Sequence, residues 1–415
     1  MPRRLAISLA LACSALALGA FPSRHITPYR TFPPDGMCYR EKTVRSGFSY
    51  SYGIATGDLT GNGRPDIVAA DAYHPRHAAA RPAMTGAAIY LLENTGGGEF
   101  RESTLADDIR TPKPFRNEPY SLLERNALGD LNGTGRLDVA IIDLFGDRVL
   151  AFENPGDGAT EAPWPMRLLA EMPRPIEVAI ADIDGDGDAD IAVASYDGGV
   201  YWLENPGRLS DWSVHPVMKP AKWADTRGLA IADFDGDGRL DIVATDIKAG
   251  EVAVAYRRGE GWETRVVARN LRWPWHGQAV DLDGDGRTDF VFGSYAGIHV
   301  LRNLGAEWKL ATLADMSRRR DLTWFEVQVA DLDRDGRPDL VATVSPQRKD
   351  VGGLVVRFMN RDGGYEPHVL IDDWGKTNQL RIADLDRDGL PDIVASTEQP
   401  RNEVKAWLSM PKGAC

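Results

Sequence analysis

Seven times, this chain writes an aspartate-rich turn followed by a run of Ile, Val and Ala. The phrase begins at Asp58 (DLTGNGRPDIVAAD), Asp130 (DLNGTGRLDVAIID), Asp182 (DIDGDGDADIAVAS) and Asp233 (DFDGDGRLDIVATD). It returns at Asp281 (DLDGDGRTDFVFGS), Asp331 (DLDRDGRPDLVATV) and Asp384 (DLDRDGLPDIVAST). From the second copy on, the period is about 50 residues, the mark of an architecture stacked from one supersecondary unit. The first interval is longer because YHPRHAAARPAMTG is inserted at Tyr73–Gly86.

Each unit reads as four short strands. In the third copy, Glu177–Ala181 leads into the Asp turn and Ile191–Ser195 leads out of it. Val200–Glu204 follows an Asp197-Gly198-Gly199 turn, and a last strand runs from Trp212 to about Val217. The same last strand, an aromatic with Val or Leu about five residues on, starts at Phe100, Trp164, Trp262, Trp308 and Tyr365. The seventh unit stops after its third strand, Glu403–Leu408, and the missing piece stands at the other end as Tyr39–Val44. A strand donated by the N-terminus closes a ring and leaves no sheet edge open between the ends. The expected fold is therefore all-β, a seven-bladed β-propeller of four-stranded blades completed by an N-terminal strand. Cys38 and Cys415 flank that closing pair, so a disulfide between them is expected. Chain entropy gives such a link on the order of 6 kcal/mol.

The acids define a metal chemistry. Oxygens at positions one, three, five and nine of the motif, with a backbone carbonyl near seven, can wrap a hard cation at about 2.3–2.6 Å. The candidate ligands are Asp182, Asp184, Asp186 and Asp190; Asp233, Asp235, Asp237 and Asp241; and Asp281, Asp283, Asp285 and Asp289. Asp331, Asp333, Asp335 and Asp339 follow, then Asp384, Asp386, Asp388 and Asp392. In the first two copies neutral oxygens replace two carboxylates, giving Asp58, Thr60, Asn62 and Asp66, then Asp130, Asn132, Thr134 and Asp138. Calcium is the expected ion, with five strong sites and two weaker ones. No His or Cys lies in these loops, which excludes zinc as the natural occupant. Nor is the loop an EF-hand, because its twelfth position falls inside a strand where the EF-hand needs a Glu.

Charge and the N-terminus limit the partners. A formal charge of −13 argues against nucleic acid or an anionic membrane as the main partner. Residues 1–20, MPRRLAISLALACSALALGA, carry two Arg and then an apolar run too short for a membrane span, as in a secretory signal peptide. The expected organisation is this leader, an N-terminal extension over 21–37 and the propeller over 38–415, in a secreted or periplasmic protein with no membrane span.

These repeats resemble the FG-GAP/VCBS family, the repeats of the integrin α-subunit head and of bacterial secreted VCBS proteins. The resemblance covers nearly all of the mature chain. It implies a seven-bladed propeller with calcium in the loop between the first two strands of a blade. Ala194-Ser195-Tyr196 and Gly293-Ser294-Tyr295 stand where the integrin Gly-Ala-Pro cassette would be, so an integrin-like role is not implied.

Turns alternate ends in an up-and-down blade, so the Asp loops share one face and the blade-to-blade connections the other. Trp223, Trp273, Trp275, Trp324 and Trp374 fall in those connections, with Arg227, His276 and Gln379 close by. Lys222, Arg269, Arg272, Arg318–Arg320, Lys376, Asn378 and Arg381 stand among them, and Tyr73, His74, His77, Tyr196 and Tyr295 reach the same face from hairpin turns. Aromatic platforms beside Arg, Lys and amide donors suit a sugar, especially an acidic one. The reading is a secreted, calcium-stabilised module binding an extracellular carbohydrate or protein on that face, with no catalytic residue assigned. A polysaccharide lyase acting on a uronic-acid glycan is the alternative, with His276, Tyr196, Tyr295, His74 and His77 as its candidates. A protein–protein adhesion scaffold is the third reading.

Overall fold

The computed structural model describes residues 37–72, 86–111, 122–161, 163–295, 297–315, 322–346, 353–361, 364–371, 374–398 and 400–411. The side chains of Leu322, Trp324, Phe325, Pro346, Leu354 and Arg361 lie outside that description. The leader, Tyr73, His74, His77, Arg318–Arg320 and Cys415 also fall outside it.

The β-branched run after each Asp turn forms a strand buried along its whole length, as at Asp66–Asp71, Asp190–Ser195 and Asp392–Thr397. A strand covered on both faces needs no polar alternation, which is why these segments read as continuous apolar runs. Each is the second strand of a four-stranded antiparallel sheet, and there are seven such sheets. In the third blade the order is Pro175–Ala181, Asp190–Ser195, Val200–Glu204 and Ser213–Met218. The first strands of the blades are Ser51–Gly57, Leu123–Gly129, Pro175–Ala181, Thr226–Ala232, Gly277–Val280, Leu322–Ala330 and Thr377–Ala383. The seventh blade is completed by Cys38–Arg45, which pairs antiparallel with Glu403–Met410 in a register that sets Cys38 opposite Met410 and Lys42 opposite Ala406. This is the seven-bladed propeller, closed by its N-terminal strand.

The apolar core is divided among the blade interfaces. Ala140, Ile142 and Val149 of blade two pack with Val178, Ile191 and Leu203 of blade three. Ile54, Ile67 and Ala88 of blade one pack with Leu385, Val394 and Leu408 of blade seven, so the ring closes through the same kind of contact. Outer strands face solvent, and Met166 and Leu168 are exposed there.

Polar clamps sew the ring together on the Asp-loop side. The Asn205 side chain donates to the Leu131 carbonyl of the preceding blade (3.1 Å) and to the Ala189 carbonyl of its own (2.9 Å). Asn94 bridges to Leu385, Asn154 to Leu59 and Asn303 to Phe234 in the same way. Three carry the local tag Glu-Asn or Arg-Asn followed by Pro-Gly or Leu-Gly, at Asn154, Asn205 and Asn303; in the fourth, Asn94, the tag is Glu-Asn-Thr-Gly.

Candidate functional site

All seven Asp loops leave the C-terminal ends of first strands and so share one face. In the third, Asp182 accepts hydrogen bonds from the backbone N–H of Gly185 (2.8 Å) and Gly187 (3.1 Å). Both glycines hold φ values, 81° and 99°, that a side chain resists. Asp190 is buried and is spoken for locally, accepting from Asn205 N–H (2.8 Å) and Ile183 N–H (3.0 Å). Curling the chain this way brings oxygens of Asp182, Asp184 and Asp190 within 4.8 Å of one another.

The same convergence occurs at Asp233, Asp235 and Asp241, and at Asp384, Asp386 and Asp392. In the fifth and sixth loops it is the first, third and fifth positions that meet: Asp281, Asp283 and Asp285, and Asp331, Asp333 and Asp335. Asp186, Asp237, Asp388, Asp289 and Asp339 stand outside the triplets. In the first two loops Asp58 accepts from Asn62 and Gly63, and Asp130 from Thr134 and Gly135. The Thr134 hydroxyl donates to Asn132 (2.7 Å), while Thr60 bonds to Asp66 and Asp138 to the Leu131 N–H. Converging, oxygen-only donor sets suit a hard divalent cation. Asp384 Oδ1 is buried with no hydrogen-bond partner among the described residues, an oxygen that such an ion would satisfy. Arg258 reaches Asp235 (2.7 Å) and Arg302 reaches Asp283, but both guanidiniums are about a third exposed and can turn to solvent.

The opposite face is built by a recurring irregularity. Register shifts interrupt first strands near their N-terminal ends, between Ser51 and Ile54, Leu123 and Asn126, Thr226 and Leu229, and Thr377 and Leu380. A bulge adds an unpaired residue and re-aims side chains. The residues inside these shifts include Tyr52, Glu124, Arg125, Arg227 and Asn378. With Trp275, His276 and Lys376 they line a cavity of about 150 Å³ at the axis of the ring. Packing is tight here: a Cβ at Gly53 would lie 2.3 Å from the Glu124 carbonyl oxygen.

Charges hold this centre across blades. Arg125 bonds to Glu326 (2.8 Å) and lies 3.5 Å from Glu177, while Arg381 bonds to the other Glu326 oxygen (2.5 Å). His276 Nδ1 is 2.6 Å from Glu177. Within single blades, Arg227 pairs with Asp225 (2.6 Å) and Lys376 with Glu398 (2.8 Å). Burial alone would raise the Glu177 carboxyl, but Arg125 and His276 outweigh it and hold it down at about 2. For Glu124 burial prevails over Arg227, Arg125 and Lys376 and pushes it up to about 7. Burial and Arg125 lower the His276 imidazole against the pull of Glu177, and burial drives the Tyr52 hydroxyl well up. Asn378 is 1% exposed, and its Nδ2 donor has no hydrogen-bond partner among the described residues.

The face residues expected from sequence divide. Arg227, Trp275 and His276 line the cavity. Tyr196 stands beside it as a ring approached by Arg174 (3.8 Å), Arg227 (4.8 Å) and Lys248 (5.6 Å). Trp273 is 41% exposed, has a left-handed backbone (φ 51°) and meets Tyr295 edge-on at 5.5 Å. Trp223 and Trp374 are instead buried in blade interfaces, their indole N–H groups donating to Glu251 (3.0 Å) and Glu403 (2.6 Å). Those two do not reach the cavity, because apolar neighbours from two blades close over them. Gln379 is buried too, its amide oxygen accepting the Ile54 N–H of blade one. The backbone of Trp324 lies opposite Val344, and its side chain is outside the described residues. Sequence reading passed over Tyr52, Glu124, Arg125, Glu177 and Glu326. The available signal was charged residues at the start of strands that ought to be buried.

Comparison with known proteins agrees with this geometry. The FG-GAP-like repeat matches residues 130–193, 182–244 and 281–342. No curated protein matches the chain in sequence. Among solved structures, an Agrocybe aegerita lectin, described as specifically recognising non-reducing terminal N-acetylglucosamine, is 19% identical with a TM-score of 0.52. That match covers 84% of this chain and 93% of the lectin. YCF48 from Cyanidioschyzon merolae is 10% identical with a TM-score of 0.54, over 89% of this chain and 98% of its own. BBS1N, solved in complex with ARL6DN, is 14% identical with a TM-score of 0.54, over 91% and 97%. At such identities the likeness establishes a shared fold and nothing about ligands.

Proposed function

The chain is a seven-bladed β-propeller built with FG-GAP-like repeats, and from that premise we propose that it is an exported, calcium-stabilised binding module. Its ligand, a carbohydrate or a protein, sits on the face opposite the Asp loops. Calcium occupies the loops through the converging carboxylates, and a Cys38–Cys415 disulfide fastens the ring. The pairing of Cys38 with Met410, a few residues before Cys415, supports that link.

The observation that carries the binding reading is the axial cavity, where Asn378 offers a buried, unspent donor beside Trp275, Tyr52 and Arg227. An aromatic wall with fixed donors and one carboxyl suits a hydroxyl-rich group. Trp273 adds an exposed ring whose left-handed backbone is strained, a state that persists where surrounding structure enforces it. Carbohydrate is the preferred class.

One observation favours the lyase as second reading: His276, oriented by Glu177, lines the same cavity as Tyr52. Burial lowers that imidazole's pKa, the direction that favours the neutral, proton-accepting form. Glycan-array binding, run with absorbance of unsaturated products from uronic-acid polymers, separates the readings. Array binding that falls tenfold or more in Asn378→Ala and Trp275→Ala, without new absorbance, is expected. Absorbance that vanishes in His276→Ala favours the lyase, and silence in both assays overturns a glycan ligand and leaves a protein partner.

A further inference from the structure

The sixth blade differs from the others at one buried position. Arg357 sits in its third strand opposite Val341. The register-equivalent residues elsewhere are Leu91, Ala151, Trp202, Val254, Val300 and Ala406, none of them charged. Arg357 is wholly buried. Its Nη2 donates to Asp339 Oδ2 at 2.8 Å and lies 3.8 Å from Asp333 Oδ2. Both carboxylates are themselves about 1% exposed at the side chain.

In the third loop the ninth-position carboxylate spends that second oxygen on a loop N–H, as Asp190 does with Ile183. Asp339 keeps the other half of the arrangement, accepting the Asn360 N–H (2.8 Å), but gives its second oxygen to the guanidinium. Asp333, the loop's third-position ligand, is turned toward the same cation. A guanidinium is permanently charged and cannot leave a site from which water is excluded. It therefore differs from Arg258 and Arg302, which touch their loops from the surface.

We propose that Arg357 is the resident cation of the sixth loop, so that this loop folds without calcium while the third, fourth, fifth and seventh bind it. The idea rests on the calcium reading, and deepens it by assigning which loops the metal fills. A fixed cation between two of the loop's ligands repels a divalent ion and occupies the oxygens it would need.

The test counts tightly bound calcium on the whole exported chain by titration calorimetry, with calcium itself as the probe. Asp184→Asn is expected to lose one equivalent relative to wild type, Asp333→Asn none, and Arg357→Met to gain one. Loss of an equivalent in Asp333→Asn overturns the proposal, as does a folded Arg357→Met protein that gains nothing. If Arg357→Met does not fold, the paired Asp184→Asn and Asp333→Asn counts decide alone. No tight calcium in wild type would overturn the calcium reading itself, an outcome separate from a sixth loop that binds.

Discussion

Glu124 is the residue whose chemistry is most at odds with its position. It opens a strand at the ring axis, is buried, and has its carboxyl pushed up to about 7 by that burial despite three cations nearby. A carboxyl raised above its unfolded value binds its proton more tightly in the native state. Its contribution is therefore favourable at low pH and is lost as pH rises from about 4.5 to about 7. Glu177, held at about 2, has the opposite sign: its stabilisation is present above about 4.5 and is lost as pH falls toward 2. Glu124→Gln should thus match wild type near pH 5 and exceed it near pH 8, by up to on the order of 3 kcal/mol. Denaturant melts at the two pH values with calcium in excess check this, and a constant offset between the proteins would refute it. At this scale the sequence displayed the right residue types but not their role. Tyr52, Glu124, Arg125 and Glu177 read as interruptions of a strand pattern, because which way a side chain points at a bulge is not encoded in alternation.

At the scale of the element, two local devices convert identical strands into a ring with a centre. The bulges at the starts of first strands re-aim side chains toward the axis, and in blade two they bring the consecutive Glu124 and Arg125 there, where regular pleating would send one away. The Asn clamps at Asn94, Asn154, Asn205 and Asn303 bind their blades to the preceding ones through loop carbonyls. Removing the Asn205 amide takes away the donor to the Leu131 carbonyl, a buried bond between blades, and to the half-buried Ala189 carbonyl, which costs about 1–3 kcal/mol. Asn205→Ala should show that loss in urea unfolding with no change in calcium equivalents. An unaltered midpoint would remove the clamp from the account of stability. The strands themselves were legible almost to the residue: Val200–Glu204 is the same span in sequence and structure, and Ile191–Ser195 gained only Asp190. The clamp was not, although its Asn-Pro-Gly tag was visible, because its partner is a carbonyl one repeat away.

For the whole molecule, the ring has two faces of different chemistry. One gathers the Asp loops, and the other opens on the axial cavity flanked by Arg174, Arg227 and Lys248. Without metal, clustered carboxylates repel, and each filled site stabilises the folded state by about 2.7 kcal/mol at a hundredfold excess of ion over Kd. A strong chelator should therefore lower the melting temperature of the protein sharply, and restored calcium should recover it. Peptide mass mapping without reduction should find Cys38 joined to Cys415. An unshifted melt would dismiss calcium as a stabiliser, and two free thiols would dismiss the covalent latch.

The sequence by itself determined the ring. Seven Asp turns, at a steady period from the second on and each leading a doubly buried strand, admit few packings, and the strand missing from the last repeat appears at the first. That information is local and repeated, so it survives in one dimension. Only the tertiary structure decided what the centre contains, that Trp223 and Trp374 are core, and that Arg357 lies beneath the sixth loop. Each of these depends on side chains from different blades meeting at a distance, where burial, charge and bulge geometry act together.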